Sequence, residues 1–354
     1  MRNFQENVKV VPISPQQQGI WFHAEGSSVS FWNFTQVKSF EGVLDAETFK
    51  SAFDLVLNSQ SSLRTSFKMN GENLYQCIHD SIPSDDLIEY IEYEVNDPDG
   101  VENLVRFELK KEERYEFDLE NDFLIRIKVL KFIDRCYIIL TMNHIITDFS
   151  SMQLFWKQLA DYYNSLINGE IPALKVPTSE YHDYSQSHYK HSQSIDYYEH
   201  KKYWIDKLVN RHSQSFISFY RNNPILSYRE FDLSNSLIQK IRILSLRKRV
   251  LYSSVYQLAF FLLLYKYTKS SSISIGNVVN GRGLGRSKYS DVIGLFAKRL
   301  VNVLNIDDND VISNLLFSLN KDILDSFSHE DAPYEEIARE IGKVEGVAPK
   351  PLLY

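Results

Sequence analysis

Two apolar runs, "FLIRIKVL" (123–130) and "RCYIILTM" (135–142), follow one another with "FIDR" as their connection. Nothing else in the chain constrains its fold as tightly. A link that short joins neighbouring strands. The second run then drives straight into His144, with Asp148 four residues on and Ser150 opening a new pattern. "SMQLFWKQLADYYNSL" puts Met152, Phe155, Trp156, Leu159 and Tyr163 on one helical stripe, and Ser150 and Gln153 have capping-box spacing. If Met142 ends a strand and Ser150 caps a helix, residues 143–149 are the loop between them. Functional groups concentrate where a rigid scaffold presents such a loop.

Strand and helix patterns recur on both sides of this seam. "NFTQVKS" (33–39) alternates like a strand, and "LDAETFKSAFDLVLN" gathers Leu44, Phe49, Phe53, Val56 and Leu57 on one face behind Asp45 as N-cap. "SLRTSF" and "LYQCI" read as strands joined by "NGEN", and 100–113 as a charged helix. Further on, helices are predicted near 197–208, over 234–248 and 252–268, and over 311–327. Strands are predicted near 226–232, over 272–279 and near 299–306. The polar stretch 169–195 is the best boundary or crossover. The fold class is therefore α+β or α/β, in two lobes, 1–175 and 176–354.

Composition narrows the function. A formal net charge of -7 offers no basic stripe for nucleic acid. The most apolar segment, "VYQLAFFLLLYKY" (255–267), falls short of the roughly 20 residues a bilayer span needs and reads as a buried helix. No membrane partner is expected. Cys77 and Cys136 make no disulfide framework; they fit small buried residues in a reducing, cytoplasmic compartment. His182, His188, His191 and His200 cluster among Tyr, Ser, Lys and Gln, and read as a solvated polar segment; no metal site is assigned. "NGRGLGR" (280–286) lacks dinucleotide-site spacing and reads as a loop. His144 itself has two readings. It is an acid, base or hydrogen-bond donor at a strand end, or a satisfied core histidine beside a helix-capping aspartate.

"TMNHIITDFSSM" (141–152) resembles the H-H-x-x-x-D-G signature of the condensation domains of nonribosomal peptide synthetases, members of the chloramphenicol acetyltransferase-like superfamily. The resemblance recurs in order along the chain. It includes "ISPQQQGIWF" (13–22), "SSLRTSF" (61–67), "FDLENDFLIRIKVL" (117–130), "YHDYSQ" (181–186), "YWIDKL" (203–208), "VIGLFAKRLVNVLNI" (292–306) and "HEDAPYEEI" (329–337). Three positions depart from the family pattern: Asn143 stands for the first histidine, Phe149 for the glycine, and Gln18 where Arg or Lys is common.

The resemblance implies two acetyltransferase-like lobes with an active-site tunnel between them. Phosphopantetheine arms of donor and acceptor carrier protein domains enter it, and no cofactor is bound by the domain itself. The acyl or peptidyl thioester on one arm meets an amine on the other, and an amide forms. His144 matches the catalytic histidine, which orients or deprotonates the amine or stabilises the tetrahedral intermediate. Asn143 supports it. Asp148 matches the aspartate that pairs with an arginine, here Arg282, in a structural role. Ser14, Phe149 and Ser150 are assigned to the tunnel, and Arg64 to structure. "VAPKPLLY" (347–354) resembles the family's last signature, so the second lobe is expected to be incomplete. Two other functions stay open: a related acyltransferase using a free amine, an alcohol or a coenzyme A thioester, and a non-catalytic module recruiting carrier or tailoring proteins.

Overall fold

Two central strands read as largely apolar runs because both of their faces are covered. The computed structural model describes residues 8–346 except 25–27, 72, 96, 210–231 and 283–287. It divides into two compact units, one of residues 1–193 with 280–297, the other of 194–279 with 298–354. The sequence-based division at 175/176 is a single cut, whereas these units exchange the chain three times. The expected strand near 226–232 and the "VAPKPLLY" segment lie outside the described residues, as does most of "NGRGLGR".

In the first unit, β1 (Val8–Pro12), α1 (Pro15–Ala24), β2 (Asn33–Glu41), α2 (Ala46–Ser59), β3 (Thr65–Asn70) and β4 (Asn73–His79) come first. Then follow β5 (Ile88–Glu92), α3 (Pro98–Glu113), β6 (Ile125–Lys131), β7 (Arg135–Asn143), α4 (Phe149–Ile167) and α5 (Tyr181–His191). One sheet has the order β1-β4-β3 and the other β2-β7-β6-β5, antiparallel except for the parallel β5–β6 pair. Ile125, Ile127 and Val129 of β6, with Ile138, Leu140 and Met142 of β7, join α2 and α4 in the main core. Leu130 and Ile139, on the alternate positions, meet Val101, Leu104 and Leu109 of α3. A strand covered twice can stay apolar on both faces, as β7 does from Cys136 to Leu140, whereas β6 alternates its apolar residues with Arg126 and Lys128. The predicted stripes on α2 and α4 are the buried ones, except that Trp156 is half-buried, and Asp45 caps α2 by accepting the Thr48 N–H at 2.7 Å.

Lys128 on β6 breaks the apolar pattern and is buried. Its ammonium meets Glu108 at 2.8 Å and Glu112 at 3.0 Å, both buried on α3. Lys128 offsets only one of the two carboxylates; Lys111, 3.1 Å from Glu108, and Arg126, 3.3 Å from Glu112, supply the remaining positive charge that makes this burial tolerable.

The second unit holds α6 (Ile195–Leu208), α7 (Asn235–Lys248), α8 (Tyr252–Thr268), β8 (Ser272–Val279), β9 (Lys298–Asn305), α9 (Ile312–Ser328) and α10 (Tyr334–Glu345). β8 and β9 pair antiparallel. One core joins α8, β8 and α9; another joins α6, β9 and α10. Two expectations need correcting. α8 is not buried all round, since Ser254, Leu258, Phe261 and Leu264 face the core while Phe260, Leu263 and Tyr267 are exposed. The stretch 169–195 is not merely a polar connection, because α5 forms within it, and His182 and His188 are buried rather than solvated. Tyr181, Tyr184 and His188 recur at helical spacing, and both tyrosine rings pack on Phe296. Among the described residues, no helix is long and apolar enough to cross a membrane.

Candidate active site

The seam between β7 and α4 is a short 3-10 turn, His144–Ile146. Ile145 and Ile146 are buried and fix the turn, while His144 stays half-exposed. Its Nδ1 lies 2.6 Å from the Thr147 carbonyl oxygen. A carbonyl only accepts, so Nδ1 carries the proton and the lone pair sits on Nε2. The Phe34 ring packs edge-on to the imidazole at 4.4 Å between centroids, and the Trp32 ring lies 6.2 Å away. These contacts set the plane of the ring. An imidazole held this way can accept a proton at Nε2 and return it.

Asn143 ends β7 directly opposite Asn33 of β2. Both ends of its carboxamide are used: the oxygen accepts the Ile145 N–H at 3.1 Å, and Nδ2 donates to Asn33 Oδ1 at 3.2 Å. It caps the turn that carries His144, a job that needs a donor and an acceptor on one short side chain.

Asp148, not Ser150, caps α4. Its Oδ1 accepts the Ser151 N–H at 2.7 Å, so the helix begins two residues earlier than expected and Ser150 lies within its first turn. The same carboxylate binds Arg282 Nη1 at 2.9 Å and accepts the Phe296 and Ala297 N–H groups at 3.0 and 3.2 Å. Arg282 also donates from Nη2 to Ser151 Oγ (2.7 Å) and the Val292 carbonyl (3.2 Å), and lies over the Phe296 ring at 4.3 Å. Both side chains of the pair are buried. The capping reading and the ion-pair reading of Asp148 therefore hold together.

The remaining expected residues are distributed as follows. Ser14, expected in the tunnel, is wholly buried. Its Oγ accepts the Gln17 N–H and lies 2.7 Å from the Tyr181 hydroxyl, whose own proton goes to the Leu295 carbonyl at 2.8 Å. Burial pushes the Tyr181 hydroxyl well above its ordinary pKa. Arg64 is buried and donates to the carbonyls of Leu57 (2.9 Å) and Asp80 (2.8 Å), tying the end of α2 to the end of β4. Phe149 is 66% exposed on the first turn of α4. Among described residues, only Arg249 and Lys269 are non-glycine residues with positive φ, so Phe149 carries no backbone strain in the glycine's place.

Sequence reading passed over Gln17, Ser151 and Gly294. Gln17 Nε2 donates to the Ile145 carbonyl at 3.1 Å and so holds the histidine turn from α1. Ser151 Oγ donates to the Gly294 carbonyl at 2.8 Å and accepts its N–H at 3.0 Å. A Cβ on Gly294 would lie 2.1 Å from the Tyr181 ring, so only glycine fits. The signal was present for Gln17, which sits inside the quoted "ISPQQQGIWF".

Comparison with known proteins identifies the family and the fold. The condensation domain family model matches residues 7–353. A linear gramicidin synthase polypeptide of Brevibacillus parabrevis is 26% identical over 353 residues, covering 97% of this chain and 4% of the relative. Tyrocidine synthase 2 of the same organism is 24% identical over 341 residues, covering 94% and 9%. The chain thus spans less than a tenth of these relatives. Among solved structures, the X-domain from teicoplanin biosynthesis is similar with TM-score 0.82 at 19% identity, covering 99% of this chain and 77% of that one. The first condensation domain of the calcium-dependent antibiotic synthetase, solved with a substrate analogue, is similar with TM-score 0.78 at 16% identity, covering 94% and 78%. These likenesses show the fold, an α/β sandwich of the chloramphenicol acetyltransferase-like kind. With the family model spanning nearly all its residues and the signature histidine and aspartate on one seam, this chain belongs to the condensation domain family of nonribosomal peptide synthetases.

Proposed function

We propose that this domain joins a carrier-bound acyl or peptidyl thioester to an amine, with His144 as the catalytic residue. The pinned imidazole carries the reading: Nδ1–H donates to the Thr147 carbonyl, so the basic nitrogen is Nε2. The amine nitrogen attacks the thioester carbonyl carbon. Nε2 takes the N–H proton as the C–N bond forms, and the carbonyl oxygen becomes an oxyanion. The C–S bond then breaks, the amide carbonyl reforms, and the imidazolium returns its proton to the thiolate. A thioester is already activated, so positioning and proton handling meet the remaining demand. Asp148 and Arg282 hold the seam, Asn143 and Gln17 hold the turn, and exposed Phe149 with Ser150 flanks the approach of the acyl group. Donor and acceptor carrier protein domains are the proposed partners, with phosphopantetheine arms bearing the substrates.

The test is mass spectrometry of a loaded donor carrier mixed with amine-loaded acceptor carriers. Wild-type should form amide, and His144→Ala should fall by about a hundredfold or more. Equal turnover in both would sink the assignment. A second reading, a coenzyme A thioester as donor, is favoured by one observation. The starter condensation domain of rhizomide synthetase, similar with TM-score 0.78, was solved in complex with C8-CoA. Octanoyl-CoA offered beside an octanoyl carrier would separate the two.

A further inference from the structure

We infer that the turn Val29–Trp32 forms a side-chain-selecting wall beside His144, and that it favours thioester substrates bearing an aromatic or branched aliphatic group. The inference rests on the reading of His144 given above. Phe31 is 77% exposed, yet the segment carrying it is anchored on both sides. On one side the Glu116 carboxylate accepts the Ser30 N–H at 3.1 Å, the Ser30 hydroxyl at 2.8 Å and the Ser28 hydroxyl. Those bonds, from Ser28 first, hold the Glu116 pKa below its ordinary value. On the other side, Asn33 Nδ2 donates to the Tyr115 carbonyl at 2.7 Å, and Asn33 Oδ1 accepts from Asn143.

The rings of this wall lead to the histidine ring. Phe31 packs edge-on against Trp32 at 5.4 Å and 87°, and Trp32 lies 6.2 Å from the His144 ring. A single exposed phenylalanine needs no explanation. This one differs because it is held in register with the histidine by a carboxylate clamp and by the signature's own Asn143. Its ordering cost is met before any ligand arrives, which is the condition under which an exposed ring contributes to affinity. The substrate atom that reacts must sit at Nε2, so a side chain next to that carbonyl or amine falls within reach of Trp32 and then Phe31. An apolar group placed there loses water on both surfaces; a glycyl or acetyl group gains nothing. Asn143, which departs from the family's first histidine, thereby couples the wall to the turn.

The same apolar side chain can arrive on the acyl donor or on the amine acceptor. The experiment therefore uses two series of non-hydrolysable pantetheine amides, one N-acylated to mimic donors and one with a free amine to mimic acceptors. Each series carries phenylalanyl, leucyl or glycyl groups and is titrated by calorimetry. Wild-type should bind the phenylalanyl and leucyl members of one series at least about tenfold more tightly than the glycyl member. Phe31→Ser, a change at an exposed position, should collapse that ratio by roughly ten- to a hundredfold. Ile133→Ser, at another exposed apolar residue in the β6–β7 connection, should leave it unchanged. A flat wild-type series on both arms, or an equal loss for all three analogues in Phe31→Ser, would overturn the wall. Binding is read without turnover, so a failure of amide formation and a failure of selectivity are separate results.

Discussion

Replacing Asp148 by alanine should destabilise the first unit more than any other single change at the seam. The carboxylate accepts three backbone N–H groups, from Ser151, Phe296 and Ala297, and neutralises a buried guanidinium. Breaking a buried ion pair by removing one partner costs about 3–5 kcal/mol, and each buried donor left without an acceptor costs about 1–3 kcal/mol. These terms overlap, because relaxation serves several of them at once, so a loss of about 5 kcal/mol is expected rather than their sum. That equals the lower end of the roughly 5–15 kcal/mol that holds a domain together. Arg282→Ala should cost less, about 3–4 kcal/mol, since the carboxylate keeps its three N–H donors. Asp148→Asn keeps one acceptor oxygen and should cost about 2–3 kcal/mol. Urea unfolding gives the ranking, and hydrogen exchange of peptides covering 148–152 and 292–297 locates the loss. Asp148→Ala protein that unfolds like wild-type but forms no amide would refute the reasoning and make Asp148 chemical.

Other consequences are simpler to measure. Lys128→Ala leaves the buried carboxylates of Glu108 and Glu112 with Lys111 and Arg126 as their cationic partners and should cost about 3 kcal/mol in denaturant unfolding; adding Glu108→Gln and Glu112→Gln should recover part of it. Gly294→Ala drives a methyl into the Tyr181 ring, which is held at its hydroxyl by Ser14 and Leu295, and should lower stability by about 1–3 kcal/mol or more. His79 is buried, and burial first and nearby Arg64 second depress its pKa below 6.5. The unfolded chain therefore takes up that proton first. Stability from this group is intact above pH 6.5 and is lost as pH falls through the folded value. His79→Gln should flatten the stability–pH profile in that window.

Much of the first unit was legible because its signals are local. β6 and β7 announce themselves as apolar runs since both faces are covered, and α2 and α4 by their stripes. The seam, with His144 and Asp148, follows from where one pattern ends and the next begins. What was not legible depends on contacts remote in sequence. Gln17 reaches Ile145 across 128 positions, and Asn143 reaches Asn33 across 110. Such pairs leave no periodicity. Arg282 as the partner of Asp148 came from resemblance, not from any pattern in the residues around it. α5 was hidden for another reason: His182 and Asp183 stand between its buried tyrosines, and serine, glutamine and lysine follow them, so its composition looks like loop.

The return of residues 280–297 to the first unit has a consequence for how the protein is made. The chain leaves that unit at residue 194 and comes back only after α6, α7, α8 and β8 have been laid down. During synthesis Asp148 emerges long before Arg282, Phe296 and Ala297, which lie 134, 148 and 149 positions further on. Until then the cap of α4 has no counter-charge, Ser151 has no Gly294, and the aromatic face of α5 has no Phe296 to cover it. Closing so long a loop costs entropy before its contacts repay it. The seam beside the histidine turn is thus completed only when residue 297 has left the ribosome, and a chain interrupted before that point carries the signature without its full support.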